Sequence, residues 1–218
     1  MNTDNNIVTV SLPLLSDPEV KLNPNKDIAE KVYHQQLRKV QNDAADKASI
    51  IKSEQKLQDL GFVSYVKDLP EEVQHRLSTN PVQNFIPWRI AWKPNSPTTP
   101  CRLVFDASMS TSSGYSLNDI LPKGVNNLNK LLEIFLRWHI YPVAYHNDIN
   151  KMYNGLKLKE EFWGFQRYLF EPNLDPSKKP FEKNIKTAIY RVRPSGKHLL
   201  LSANWLKYIK IDIQKHTM

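Results

Sequence analysis

Apolar positions recur at three-, four- and five-residue spacings through NPNKDIAEKVYHQQLRKV, at Ile28, Val32, Leu37, Val40 and Ala44. That is a helical period. The pattern continues through Ile50, Ile51, Leu57 and Leu60 to Gly61, a residue that suits a helix end. Heptads fail across Asn42 to Ser49, so the stretch predicts two packed helices rather than a coiled coil. Ahead of it, IVTVSLPLL predicts a short strand ended by Pro13. Behind it, LPEEVQHRL from Leu69 to Leu77 predicts a short helix, with Pro70 near its start and acidic residues in its first turn.

From Phe85 the texture becomes that of strands. NFIPWRIAW and CRLVF, separated by the turn-rich KPNSPTTP, predict a hairpin with a long basic-tipped loop. SMSTSSGYSLND predicts a polar connector. NKLLEIFLRWH predicts a helix with Leu131, Ile134, Phe135 and Trp138 on one face. YPVAY predicts a buried strand, GFQRYLF another, and KTAIYRV a fourth after the loop EPNLDPSKKP. LLLSANWLKYIKIDI predicts a terminal helical piece. The mixture is α+β, with neither an internal repeat nor a low-complexity tract.

Composition narrows this picture only at two points. The balance of 30 Lys+Arg against 22 Asp+Glu leaves +8, which suits a nucleic-acid or other anionic partner without deciding for one. The single cysteine, Cys101, excludes an internal disulfide and predicts a reducing compartment. The opening MNTDNNIVTV lacks a basic start and a long apolar segment, so it predicts no secretory signal. The longest aliphatic run, Leu199 to Leu201, is too short for a membrane span. The expectation is an intracellular protein, cytoplasmic or nuclear, with no membrane partner.

Candidate chemistry centres on YHNDINKMY, where Asp148 ends an apolar run and Tyr153 follows five places later. Two-metal nucleotidyl transfer needs carboxylates around ions roughly 3.5–4 Å apart, and a strand end commonly supplies one of them. Any Asp followed by Tyr meets this spacing, so a solvated or capping Asp148 fits it as well. VFDAS, from Val104 to Ser108, is a peptidase-like false lead: Ser108 stands where the tight turn needs glycine. Six scattered histidines and one cysteine give no zinc spacing. The tryptophans at 88, 92, 138, 163 and 205 suit base stacking but fit core aromatics better.

In order along the chain, WRIAWKPNSPTTPCRLVFDAS, SLNDIL, LLEIFLRWHIYPVAYHNDINKMYNGLKL and FWGFQRYLF resemble the reverse transcriptase region of BEL/Pao-type LTR retrotransposons. IVTVSLPLL and SEQKLQDLGFVSYV are similar to the polyprotein stretch before it, so the likeness spans about residues 7 to 190. It implies a helical lead-in over 1–80, a partial fingers/palm with an incomplete antiparallel sheet over 81–195, and a divergent tail over 196–218. It implies that Asp148 is the first catalytic, Mg²⁺-binding carboxylate and that the Ile149 carbonyl is a further metal ligand. Tyr153 would gate the incoming deoxynucleotide. Arg102 would approach the triphosphate, where a planar fork suits phosphate oxygens, and Lys93 would add charge there. Asp106 would orient the fingers turn. Outside that likeness, Arg102 fits a strand-edge cation, Lys93 a solvated loop charge and Tyr153 a core aromatic. Gln166 and Arg167 fit a template contact or pairing on the sheet surface, the latter better. RNA template, DNA primer or RNA–DNA hybrid would be the partners.

The sequence departs from that family after KTAIY. Arg191 stands at the glycine-like position of YRVRPSGKHLL, and from Lys197 the likeness ends. Only Asp175 and Asp212 follow Asp148, with no adjacent Asp–Asp pair. One exposed carboxylate cannot hold two reluctant-to-dehydrate Mg²⁺ ions. The expectation is therefore a truncated polymerase fragment, inactive alone, with a co-opted basic nucleic-acid-binding module as the alternative and a poorly folding product as a third reading.

Overall fold

The computed structural model describes residues 8–93, 101–122, 130–140, 143 and 155–187. They form β1 (Val8–Val10), α1 (Pro18–Lys21), α2 (Lys26–Val40), α3 (Ala44–Asp59), β2 (Val63–Tyr65), α4 (Glu71–Thr79), β3 (Trp88–Trp92), β4 (Cys101–Phe105), α5 (Leu131–Trp138), β5 (Leu156–Leu158), β6 (Arg167–Phe170) and β7 (Phe181–Ile185). The class is α+β. No described helix is long and apolar enough to cross a membrane.

The long helical pattern divides as expected, and its cause is local. Asp43 accepts hydrogen bonds from the Ala45 and Asp46 N–H groups, both at 2.9 Å, and so starts α3. Gly61 adopts φ 70° and stops it, its N–H donating to the Gln58 carbonyl. One detail differs from the sequence expectation. The buried face of α2 is Ala29, Tyr33, Leu37 and Val40 rather than the stripe through Ile28 and Val32. Tyr33 packs edge-on against the buried Trp88 ring at 6.0 Å, and that aromatic contact turns the helix.

Three small sheets carry the rest. β1 runs parallel to β5. β3 and β4 form the expected antiparallel hairpin, with Ala91 opposite Arg102 and Trp92 opposite Cys101. The third sheet has the order β2-β7-β6, all antiparallel. β7 over Phe181–Ile185 is not expected from the pattern; of the expected KTAIYRV strand only Lys186 and Thr187 are described, Thr187 making an isolated bridge to Lys157, and 188–192 lie outside the described residues. Three of the five residues of β7, Glu182, Lys183 and Asn184, are polar, so the period does not reveal it. Tyr141, Pro142, Ala144 and Tyr145 of the expected YPVAY strand lie outside the described residues; Val143 is exposed, contrary to the burial expected there. LLLSANWLKYIKIDI also lies outside them.

One core joins early and late segments: Leu37, Val40, Ile50, Val63, Trp88, Phe105, Phe165, Tyr168, Phe170 and Ile185 belong to the same buried cluster. A strap over 82–88 is sewn to β6 by buried asparagines. Asn25, at the start of α2, accepts from Phe85 N–H at 2.7 Å and donates to the Phe85 carbonyl at 3.0 Å and Asn84 Oδ1 at 3.1 Å. Asn84 Nδ2 reaches the Phe165 carbonyl at 3.0 Å. These bonds satisfy backbone groups that no regular ladder covers.

Candidate nucleic-acid interface

The β3–β4 hairpin positions the described members of the expected site. Side chains alternate across a strand, so Trp88 and Phe105 face the core while Arg89, Ala91 and Lys93 leave the opposite side. Arg102, cross-strand from Ala91, is on that same outer side. Arg102 and Lys93 are both exposed. Arg89 is neutralised by Asp106, Nε to Oδ2 3.1 Å. Asp106 is nine-tenths buried, accepts from the Ser108 N–H and hydroxyl, and anchors the turn after β4. The outer face thus exposes two cations and uses a third, Arg89, to fix its own turn. Trp92, at the hairpin's end, is exposed at 41%, as is Trp138 at 37%, while Trp88 and Trp163 are core residues. Core packing thus accounts for half of the described tryptophans, and Trp205 lies outside the described residues.

Asp148, Ile149 and Tyr153 lie outside the described residues. Arg102 and Lys93 are brought to one hairpin face. The acidic side chains that follow Asp148 bear on metal binding more directly. Asp175 accepts from Ser177 N–H at 2.9 Å and Ser177 Oγ at 2.7 Å, which holds its carboxyl below the usual range. Glu171 caps the same loop through the Asn173 and Asp175 N–H groups. Glu182 pairs with Lys26 at 2.7 Å and with Arg167, and Glu160 pairs with Arg76 at 2.9 Å. Each is committed to local structure. Among the described residues, no three His, Cys, Asp or Glu side chains converge on a metal position. The described acidic residues therefore do not fit a two-ion centre.

Gln166 and Arg167 are buried, which corrects the expectation of a sheet-surface pair. The strap over 82–88 covers them: Phe85 bridges Arg167, and the Phe85 ring lies 4.7 Å from the guanidinium carbon. Burial lowers the Arg167 pKa to about 10. Beneath the same sheet, Lys183 is fully buried and ion-paired to Glu54 of α3, with Gln58 Oε1 at 2.8 Å from its ammonium. Tyr168 donates to Glu54 at 2.9 Å, and the Tyr65 ring lies 3.9 Å from the ammonium. Burial lowers the Lys183 pKa against the opposing pull of Glu54. Sequence reasoning missed this cluster; its only signal was a polar Lys183 between Phe181 and Ile185 in strand alternation.

A second basic region was also missed. Lys157 on β5 stands opposite Thr187 in the isolated bridge, and the Leu158 N–H donates to the Lys186 carbonyl at 2.8 Å. Lys186 lies over the Trp163 ring, 5.8 Å from its centroid. Partial burial lowers its pKa, and Lys157 adds to that lowering while Glu160 opposes it.

A scan against protein-family models and searches of curated proteins and of solved structures found no match to this chain.

Proposed function

We propose that this chain is a reverse-transcriptase-like fingers/palm segment of BEL/Pao type that binds nucleic acid and, alone, does not copy it. The observation that carries the binding half is the β3–β4 hairpin: Arg102 and Lys93 stand on its exposed outer face while Asp106 and Arg89 brace the turn behind them. A braced hairpin presenting a planar guanidinium and an ammonium suits phosphate oxygens. The net charge of +8 favours the same partner. Within this reading, Arg102 and Lys93 hold backbone or triphosphate oxygens, Tyr153 lies at the sugar, and Asp148 with the Ile149 carbonyl offers part of a Mg²⁺ site. A divalent ion there would polarise phosphate oxygens. Among the described residues, Asp175, Glu171, Glu182 and Glu160 are committed elsewhere, which supports a reading in which the further carboxylates of a two-ion site are not supplied by them.

Binding of a labelled RNA–DNA hybrid across a salt series tests this. Affinity should fall steeply with salt, and Arg102→Gln with Lys93→Gln should flatten the slope by about 2, one counterion per lost phosphate contact. A slope unchanged by both substitutions would remove the hairpin from the interface.

A further inference from the structure

We propose that one face of α5 is the docking surface for this chain's own stretch 199–213, which seats Trp205, Leu206, Ile209 and Ile213 against Leu131, Ile134, Phe135 and Trp138. The need for a cover is visible on α5 itself. None of its eight residues is buried, and Leu131 is 64% and Phe135 44% exposed. Leu131, Ile134, Phe135 and Trp138 follow the three-, one- and three-residue steps of a single helical stripe. Phe135 and Trp138 meet edge to face, ring centroids 5.7 Å apart, and make an aromatic ledge on that stripe. A contiguous exposed apolar face of this kind marks a contact surface. Isolated helices shorter than about 12 residues are marginal in water, so a cover also holds these eight residues helical.

The sequence supplies one occupant whose pattern matches. In LLLSANWLKYIKIDI a helical period gathers Trp205, Leu206, Ile209 and Ile213 on one side and Asn204, Lys207 and Lys210 on the other. The remaining stretches outside the described residues fit the stripe less well. PNSPTTP over 94–100 and KGVNNLN over 123–129 carry no sustained apolar stripe. YPVAY, directly after α5, is interrupted by Pro142, and its Val143 is 59% exposed. AIYRVRPSGKH over 188–198 is basic and broken by Pro194 and Gly196, which suits a connector. Fully extended, those residues reach about 40 Å, enough to cross a domain of this size. One intramolecular contact covers both apolar stripes and leaves Lys207 and Lys210 in water. Pairing α5 with the α5 of a second copy would leave the 205–213 stripe bare, and it lacks the high effective concentration that a tether gives.

Amide hydrogen exchange on the full chain reads the contact from both sides. In the wild type, the amides of α5 and of 205–213 should be protected together. Trp205→Lys with Ile209→Lys should speed exchange in α5 about tenfold, while β6 and β7 keep their wild-type rates. Phe135→Lys should do the same to 205–213. Leu132→Lys with Leu136→Lys, on the flank of the helix away from the stripe, should leave 205–213 protected. Unprotected α5 in the wild type, or α5 protection indifferent to the two substitutions at 205 and 209, overturns the docking. So does α5 protection that disappears on dilution together with a dimer mass in light scattering, which assigns the face to a second copy. If the 205/209 variant also speeds β6 and β7, the Phe135→Lys arm decides. Release of 205–213 with the sheet unchanged then retains the docking, and 205–213 unaffected removes it.

Discussion

The β2-β7-β6 sheet and α5 invert the usual distribution of side chains in opposite ways. The sheet buries charge: Lys183 is 0% exposed and Glu54 3%. α5 exposes hydrocarbon: Leu132 is 67% exposed, Leu131 64% and Leu136 60%. Charges survive burial because each has a partner that α3 and its neighbours deliver to it. Apolar residues survive exposure on α5 because its eight residues carry only a local helical pattern, and no other described element is packed closely over it. A pattern that specifies a face does not supply what covers that face. The difference separates interactions that organise the fold from a surface the fold merely carries.

The largest expected effect breaks the sheet side of this comparison. Glu54→Ala leaves a buried ammonium without its counter-ion and a Tyr168 hydroxyl without its acceptor, and should cost about 3–5 kcal/mol in urea unfolding. Replacing the group together, Glu54→Leu with Lys183→Met and Tyr168→Phe, should be neutral or up to about 4 kcal/mol stabilising. A triple variant as unstable as the single one would mean that shape, rather than charge compensation, sets the cost. Next, Asn25→Ala removes the partner of buried groups on the strap over 82–88 and should cost about 1–3 kcal/mol. Thermal unfolding checks it, and a loss within error would detach that strap from the stability of the sheet.

Alkaline pH gives a smaller effect with a definite sign. Burial first, then Glu54, raises the Tyr168 pKa well above 10.0, so the folded state keeps a proton that the unfolded chain releases. This contribution is complete below the unfolded value near 10 and is lost as pH rises beyond it. Lys183 acts in the opposite sense: its lowered folded pKa makes its contribution fall as pH drops from 10.5 through the folded value. Tyr168→Phe should therefore soften the loss of stability above pH 10, measured by unfolding across pH 9 to 11. An unchanged alkaline limb would assign that loss to other groups. The smallest effect is on the helix side. Leu132→Lys with Leu136→Lys should leave stability within about 0.5 kcal/mol, as exposed sites do. A loss above about 2 kcal/mol would mean that α5 is packed against the body after all.

Legibility followed the same divide. Helix starts and stops, the β3–β4 hairpin and the polar connector were readable because Asp43, Gly61 and the strand alternation act over a few residues. The Glu54–Lys183 pair was not readable, because 129 positions separate residues that only tertiary folding joins. The burial of Arg167 was hidden for a similar reason: the covering strap is held by Asn25, far away in sequence. At the candidate site, the role of Asp106 in bracing the turn was visible beforehand. The pairing of Lys157 with Thr187 was not, since a single cross-strand bridge creates it.

Binding without copying is tested most directly by a native gel of the full chain with a labelled primer on an RNA template, deoxynucleotides and Mg²⁺ or Mn²⁺. The account predicts a retarded complex whose primer keeps its original length. Extended primer that vanishes in Asp148→Asn, or no retarded complex at low salt, would contradict it.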